Sequence, residues 1–272
     1  MSRLKEILRE AYEILKKTPP IVRESCDTIL FVGDLHGDYE SAESAFKLYE
    51  ELSPDIIVFL GDYVDRGPKQ LETINLLLRN FVEVPERVCL LRGNHETPSM
   101  NLYYGFRSLL SADEYFSYLR IFSILPYIFI SDQKLIALHG GIPVKKEKDR
   151  YAPYSLQEIL SIRKGVEDPT DPMTFQILWN DPHEEIESAY PNPRGPGIYY
   201  YGFKIFEEFM SDANISFLVR AHFPYEPGYR FFFENRLLSI FSCRYYYGIE
   251  PCAAYYDSGW SIYSLEDLQV YD

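Results

Sequence analysis

Four of the five histidines in this chain stand where an apolar run gives way to polar residues. The segments are Gly33-Asp34-Leu35-His36-Gly37-Asp38, Arg92-Gly93-Asn94-His95-Glu96, Leu138-His139-Gly140-Gly141 and Arg220-Ala221-His222. A fifth run ends the same way without histidine, at Gly61-Asp62-Tyr63-Val64-Asp65-Arg66-Gly67. One aspartate after a strand is an ordinary turn or cap residue, and its glycine neighbours mark tight turns. Five such ends in one chain point instead to a shared site. Carboxylate, imidazole and amide oxygen together suit borderline divalent ions such as manganese, iron or zinc. A purely magnesium site would use carboxylates and water, with fewer imidazoles. No Gly-x-Gly-x-x-Gly follows the first apolar run, so a dinucleotide fold has no support.

These ends need rigid elements behind them. TILFVGD reads as a buried strand, YESAESAFKLYEEL as a helix, DIIVFLGD as a second strand, KQLETINLLLRN as a helix and ERVCLLRGN as a third strand. Apolar strands alternating with helices predict crossover units and a largely parallel sheet, whose ligands sit at the carboxyl ends of the strands. Leu4 to Lys16 forms an amphipathic helix closed by Pro19 and Pro20. SADEYFSYLRIF is a further helix, and YIFI and KLIALHGG are strands joined near Asp132. From Val144 to Pro196 the pattern weakens into loops with helical pieces at SLQEIL and TFQILW. YYYGFKIFEEFM is expected as a helix, ISFLVRAH as a strand, RFFFENRLLSIFS as a hairpin turning at Glu234 and Asn235, and Ala253 to Tyr263 as one last strand. No linker or repeat divides residues 1–272, so a single domain is expected, with residues 1–20 as a helical lead-in.

Composition sets the outer bounds. At 272 residues with 46% hydrophobic and 25% charged content, the chain can build a core without staples. The net charge of -14 repels nucleic acid and anionic membranes, so no partner of either kind is expected. Cys26, Cys89, Cys243 and Cys252 form neither a dense disulfide framework nor a Cys-x-x-Cys pair. The amino terminus lacks a signal-peptide core, and the longest apolar run, Ile121 to Ile130, contains a proline and is too short to span a bilayer. A cytoplasmic location is the expectation.

GDLHG, GDYVDRG, LRGNHE and HGG, in that order, resemble the signature of the phosphoprotein phosphatase family of metal-dependent serine/threonine phosphatases. FLVRAHFPYEPGYRFFFENRLLSIFS is similar to its carboxyl-terminal half, so the likeness covers about residues 28–254. The resemblance implies an α/β fold, a metallophosphoesterase-like sandwich of two mixed β-sheets flanked by helices. It implies two divalent ions, most readily Mn2+ with Fe or Zn as alternatives: Asp34 and His36 on one, Asn94, His139 and His222 on the other, Asp62 bridging. Such a pair, about 3.5 to 4 Å apart, generates hydroxide from a bridging water and neutralises phosphoryl oxygens for direct in-line attack on phosphoserine or phosphothreonine in proteins. His95 would protonate the leaving alkoxide, oriented by Asp65. Arg66 and Arg194 would grip the phosphate, and Tyr246 would border it.

Several residues depart from that pattern. Cys243-Arg244-Tyr245-Tyr246-Tyr247-Gly248 stands where better-known members have Ala-Pro-Asn-Tyr-Cys-Gly, and Phe223 replaces a polar residue. With no tail after Tyr271 resembling a regulatory segment, a stand-alone prokaryotic or archaeal member is expected. The rival enzymes are a symmetrical dinucleoside polyphosphate hydrolase and a broad phosphomonoesterase; the rival of another class is an inactive scaffold or regulatory subunit. Cysteine-based chemistry is excluded, because Val32, His95, Ile249 and Ser258, not arginine, stand six residues beyond the four cysteines.

Overall fold

The computed structural model describes residues 3–271. In chain order the elements are α1 (Arg3–Lys17), β1 (Ile21–Glu24), β2 (Thr28–Val32), α2 (Tyr39–Leu52), β3 (Ile56–Phe59), α3 (Gln70–Glu83), β4 (Val88–Leu90), α4 (Pro98–Tyr104), α5 (Ala112–Phe122), β5 (Ile128–Ser131) and β6 (Leu135–Leu138). Then follow β7 (Val144–Glu147), β8 (Arg150–Pro153), α6 (Leu156–Ile159), α7 (Pro172–Trp179), β9 (Asp181–Pro182), β10 (Ala189–Pro191), β11 (Tyr199–Tyr201) and α8 (Phe203–Ala213). The last elements are β12 (Phe217–Arg220), β13 (Tyr229–Phe232), β14 (Leu237–Ile240), β15 (Cys252–Asp257) and β16 (Trp260–Ser264).

Two mixed sheets form a sandwich flanked by helices. One has the order β16-β15-β2-β3-β4, the other β1-β5-β6-β12-β14-β13. Strand β2 shows why its sequence is apolar throughout. Leu30 and Val32 pack towards α1, α3 and α5, whereas Ile29 and Phe31 pack between the sheets. A strand covered on both faces has no polar side to show. On the far face of the second sheet, Leu138, Leu218 and Leu237 meet Phe206 and Phe209 of α8. No helix among the described residues is long and apolar enough to cross a membrane.

Sequence expectation and structure part company in the second half. The sheets are not largely parallel, since β15, β16, β6 and β13 each make an antiparallel pairing. Ile21–Glu24, which follows the lead-in and for which the sequence pattern predicts no element, is an edge strand beside β5. The supposed loop region holds the β7–β8 hairpin and the small β10-β11-β9 sheet. Tyr199–Tyr201 belongs to that sheet, so helix α8 begins only at Phe203. The single final strand is a hairpin, β15–β16. Short strands of three or four residues leave too little pattern for a period of two to show.

Register puts the chemistry at one edge. Val32 lies opposite Phe59, and Phe59 opposite Leu90, so the turns after β2, β3 and β4 emerge side by side. Val219 pairs with Ala137, which brings the exits of β6 and β12 together in the other sheet. A parallel bridge between Asp34 and Phe241 joins the two edges.

Candidate metal centre

The five turns converge. Asp34, His36, Asp62, Asn94, His95, His139 and His222 are all buried, none more than 6% exposed. The backbone there is forced: His36, Asp62, Asp65, Arg66 and His222 all have φ between 44° and 71°. Each such residue costs roughly 1 to 3 kcal/mol unless the surroundings hold it. Glu96 supplies part of that hold, accepting from the backbone N–H of Asp62 (2.8 Å), Tyr63 (2.9 Å) and Gly93 (2.9 Å). At Gly93 a side chain would run into the Asp62 carboxylate and backbone, so only glycine lets the turns after β3 and β4 approach.

Asp62 sits between two ligand-type triads, His36–Asp62–His95 and Asp62–His139–His222, each with donor atoms within 4.8 Å of one another. His36 Nε2 lies 3.6 Å from Asp62 Oδ2 and 3.7 Å from Asp34 Oδ2. His139 Nε2 lies 3.4 Å from Asp62 Oδ1, 2.9 Å from Asn94 Oδ1 and 3.2 Å from His222 Nδ1. The structure thus gathers all six metal-ligand candidates. It also puts His95 Nε2 within 4.0 Å of Asp62 Oδ2.

The donor set fits divalent ions on a tautomer argument. His36 Nδ1 is 2.9 Å from the Val64 carbonyl and His139 Nδ1 is 2.9 Å from the Leu60 carbonyl. A carbonyl only accepts, so each Nδ1 carries hydrogen, and a neutral ring then offers its Nε2 lone pair to the centre. Burial, then His95, pushes the His36 pKa down to about 3, and burial holds His222 well below the usual histidine range. Those rings are neutral, and the His36 lone pair faces carboxylate oxygens. Burial and Asp62 together push Asp34 up to about 6. Burial would also raise Asp62, but His139 and His95 outweigh it and hold the carboxyl well below its usual range. Burial lowers His139 too, yet Asp62 and Asp34 prevail and lift it to about 9. A proton there stands in for positive charge that a cation would supply, and cation binding would release it.

Of the remaining candidates, His95, Arg66, Arg194 and Tyr246 rim a cavity of about 390 Å3 at this centre, and Asp65 lies behind His95. His95 Nδ1 donates to Asp65 Oδ2 at 2.8 Å. Asp65 is fully buried and also accepts from Asn101 Nδ2 and the Phe106 N–H, each at 3.0 Å. Arg66 Nη2 is 3.3 Å from His95 Nε2, while Nη1 donates to the Tyr246 hydroxyl at 2.7 Å. Arg194 also lines the cavity, its Nε donating to Asp181 at 2.8 Å, and Asp181 pairs with buried Arg220 at 2.7 Å. Sequence reasoning overlooked Glu96 as the brace of the Asp62 turn, Asp181 as the anchor of Arg194, and Tyr104 and Trp179 as walls. Only Glu96 carried a signal, being the last residue of the LRGNHE motif.

Residues 27–226 match the family model of the calcineurin-like phosphoesterases, and the chain belongs to that family. Its two His/Asp clusters around one shared aspartate make a metallophosphoesterase-type active site consistent with phosphomonoester hydrolysis. Among solved structures it is similar to a protein serine/threonine phosphatase from Saccharomyces cerevisiae with similarity to human phosphatase PP5, at 24% identity and a TM-score of 0.82, over 94% of this chain and 82% of that one. It is also similar to a cold-active protein-tyrosine phosphatase of a psychrophilic Shewanella species, at 15% identity and a TM-score of 0.64, over 95% and 83% of the two chains. At these identities the likeness speaks for the fold.

Proposed function

We propose that the protein is a serine/threonine protein phosphatase that uses two divalent ions, with Mn2+ the preferred metal, and that His95 is its general acid. Asp34 and His36 would hold one ion and Asn94, His139 and His222 the other, with Asp62 touching both. Bound there, the ions supply an activated water and neutralise charge on the phosphoryl group. The residues of the chain do the rest. Arg66 and Arg194, both lining the cavity, would orient the phosphate by forked hydrogen bonds. Asp65 keeps hydrogen on His95 Nδ1, which leaves Nε2, the atom that faces the centre, as the one to pass a proton to the leaving group once phosphate draws Arg66 away from it.

The observation that carries this reading is the His95–Asp65 pair at 2.8 Å, buried beside the ligand cluster. An alkoxide leaving group is a strong base and needs a positioned acid, whereas a phosphate leaving group, as in a dinucleoside polyphosphate, departs without one. The yeast relative, named as a serine/threonine phosphatase, lends support; the Shewanella relative keeps phosphotyrosine in the comparison. The test is to strip the protein with chelator, restore single metals, and assay phosphoserine peptide, phosphotyrosine peptide and dinucleoside polyphosphate. We expect manganese to restore turnover, with phosphoserine peptide favoured over the dinucleotide. A strong preference for the dinucleotide would overturn the reading.

A further inference from the structure

Outside the ligand set, one buried carboxylate ties two distant segments of the chain together. Asp38 is fully buried and caps helix α2, accepting from Ser41 N at 3.0 Å and Ser41 Oγ at 2.8 Å. From the far end of the chain, Arg244 approaches the same carboxylate. Its backbone N–H reaches Oδ2 at 2.8 Å, its Nε lies 3.1 Å from both oxygens, and its Nη2 is 3.2 Å from Ser41 Oγ. Backbone and side chain are thus gripped together, which fixes the loop's path as well as the guanidinium. The pair is only partly exposed, 29% at Arg244 and 0% at Asp38, so water screens it less than a surface pair.

Two residues further on stands Tyr246. Its ring meets Phe241 edge to face at 4.8 Å, and its hydroxyl receives Arg66 Nη1 at 2.7 Å. Burial holds the phenol above its usual range, so the hydroxyl is neutral at ordinary pH. Arg66 is stacked 4.7 Å from the Tyr104 ring on its other side. With one edge hydrogen-bonded and one face stacked, the guanidinium plane is set, which forked phosphate recognition requires.

We propose that Arg244 is a positioning residue for phosphate binding. By anchoring the loop of residues 243–248 to Asp38, it sets the Tyr246 hydroxyl where it holds Arg66 open to phosphate. This rests on Arg66 gripping phosphate as proposed above, but not on which monoester is the native substrate. The assay is accordingly nitrophenyl phosphate hydrolysis by the metal-loaded protein, with inorganic phosphate as competitive inhibitor. Arg244→Ala is expected to raise both KM and the phosphate inhibition constant about five- to twentyfold, with kcat within about threefold, the pattern of lost ground-state binding. Tyr246→Phe is expected to do the same, and Arg244→Ala added to it should cost less than about a further twofold, because residues on one chain of contacts are not additive. Arg244→Met, which keeps an apolar stem over the same surface, serves if the alanine variant does not fold. Additive losses in the double variant, an unchanged phosphate constant, or a fall in kcat alone would overturn the proposal. Failure on phosphoserine peptide with these results intact would sink the substrate assignment and leave the tether standing.

Discussion

At the scale of single residues, His95 is where the proposed reaction separates from generic metal hydrolysis. Its Nδ1 is committed to Asp65, so Nε2, which Arg66 Nη2 approaches at 3.3 Å until substrate engages the guanidinium, is the nitrogen left to give a proton to a leaving group. A serine alkoxide demands that proton, while a nitrophenolate leaves without it. His95→Ala should therefore slow phosphoserine peptide turnover by roughly 10²- to 10⁴-fold, the usual worth of a general acid, and nitrophenyl phosphate by no more than about tenfold. Steady-state rates on both substrates check this, and equal losses would remove His95 from the role. The ligand types at this scale were legible in the sequence because histidine, aspartate and asparagine declare their chemistry wherever they stand. What was not legible was contact. Asp38 and Arg244 are 206 positions apart, and nothing in either local sequence announces the other. His95 falling inside the first ligand triad had no sequence signal either, since it depends on how β3 and β4 are paired.

Among the elements, the turn after β4 carries both Asn94 and His95, and buried Arg92 holds it in place. The Arg92 guanidinium donates to the Glu96 carbonyl at 3.0 Å, the Tyr127 hydroxyl at 3.0 Å and the Val166 carbonyl at 2.7 Å, and also reaches the Glu167 carbonyl. One side chain thus ties the turn of Asn94 and His95 to the strand region after α5 and to the segment between α6 and α7. Arg92→Met keeps the packing but leaves the buried Glu96 carbonyl and Tyr127 hydroxyl, and the partly buried bonds to the Val166 and Glu167 carbonyls, without their donor, so a loss of about 3 kcal/mol is expected. For a chain of this size that is a fall in Tm of about 6 to 12 °C, readable by calorimetry. A fall of a degree or less would show that the carbonyls find other partners. Here the sequence was a partial guide. The strand–helix–strand alternation from Thr28 to Leu90 follows its hydrophobic pattern closely, because each of those strands is buried on both faces. Tyr199–Tyr201 misled because three tyrosines directly before a helical run look like its first turn, and only their pairing with Ala189–Pro191 makes them a strand.

Over the whole molecule, the doubling of the sheet was beyond the reach of pattern. Alternating strands and helices are equally compatible with one open sheet; the second layer exists because β1 pairs with β5 and β6 with β12, choices made across long stretches of intervening chain. The net charge, by contrast, is a property of the whole that sequence states outright. A body of charge -14 surrounds a cavity walled by Arg66 and Arg194. Far from the surface, an approaching peptide meets the acidic field before it meets the arginines, so residues flanking the phosphate should set the encounter rate. A phosphoserine peptide with lysine and arginine flanks is expected to show kcat/KM falling roughly three- to tenfold between about 20 and 200 mM salt, as screening shortens the field. The same peptide with acidic flanks should hold steady or gain over that range, and kcat should be insensitive for both. Because the proposed metals and arginines would act inside the cavity, close to the phosphate, their contribution would be common to the two peptides and cancel in the comparison. Identical salt slopes would mean that the acidic surface lies too far from the entry path to be felt, and that recognition is local to the cavity rim.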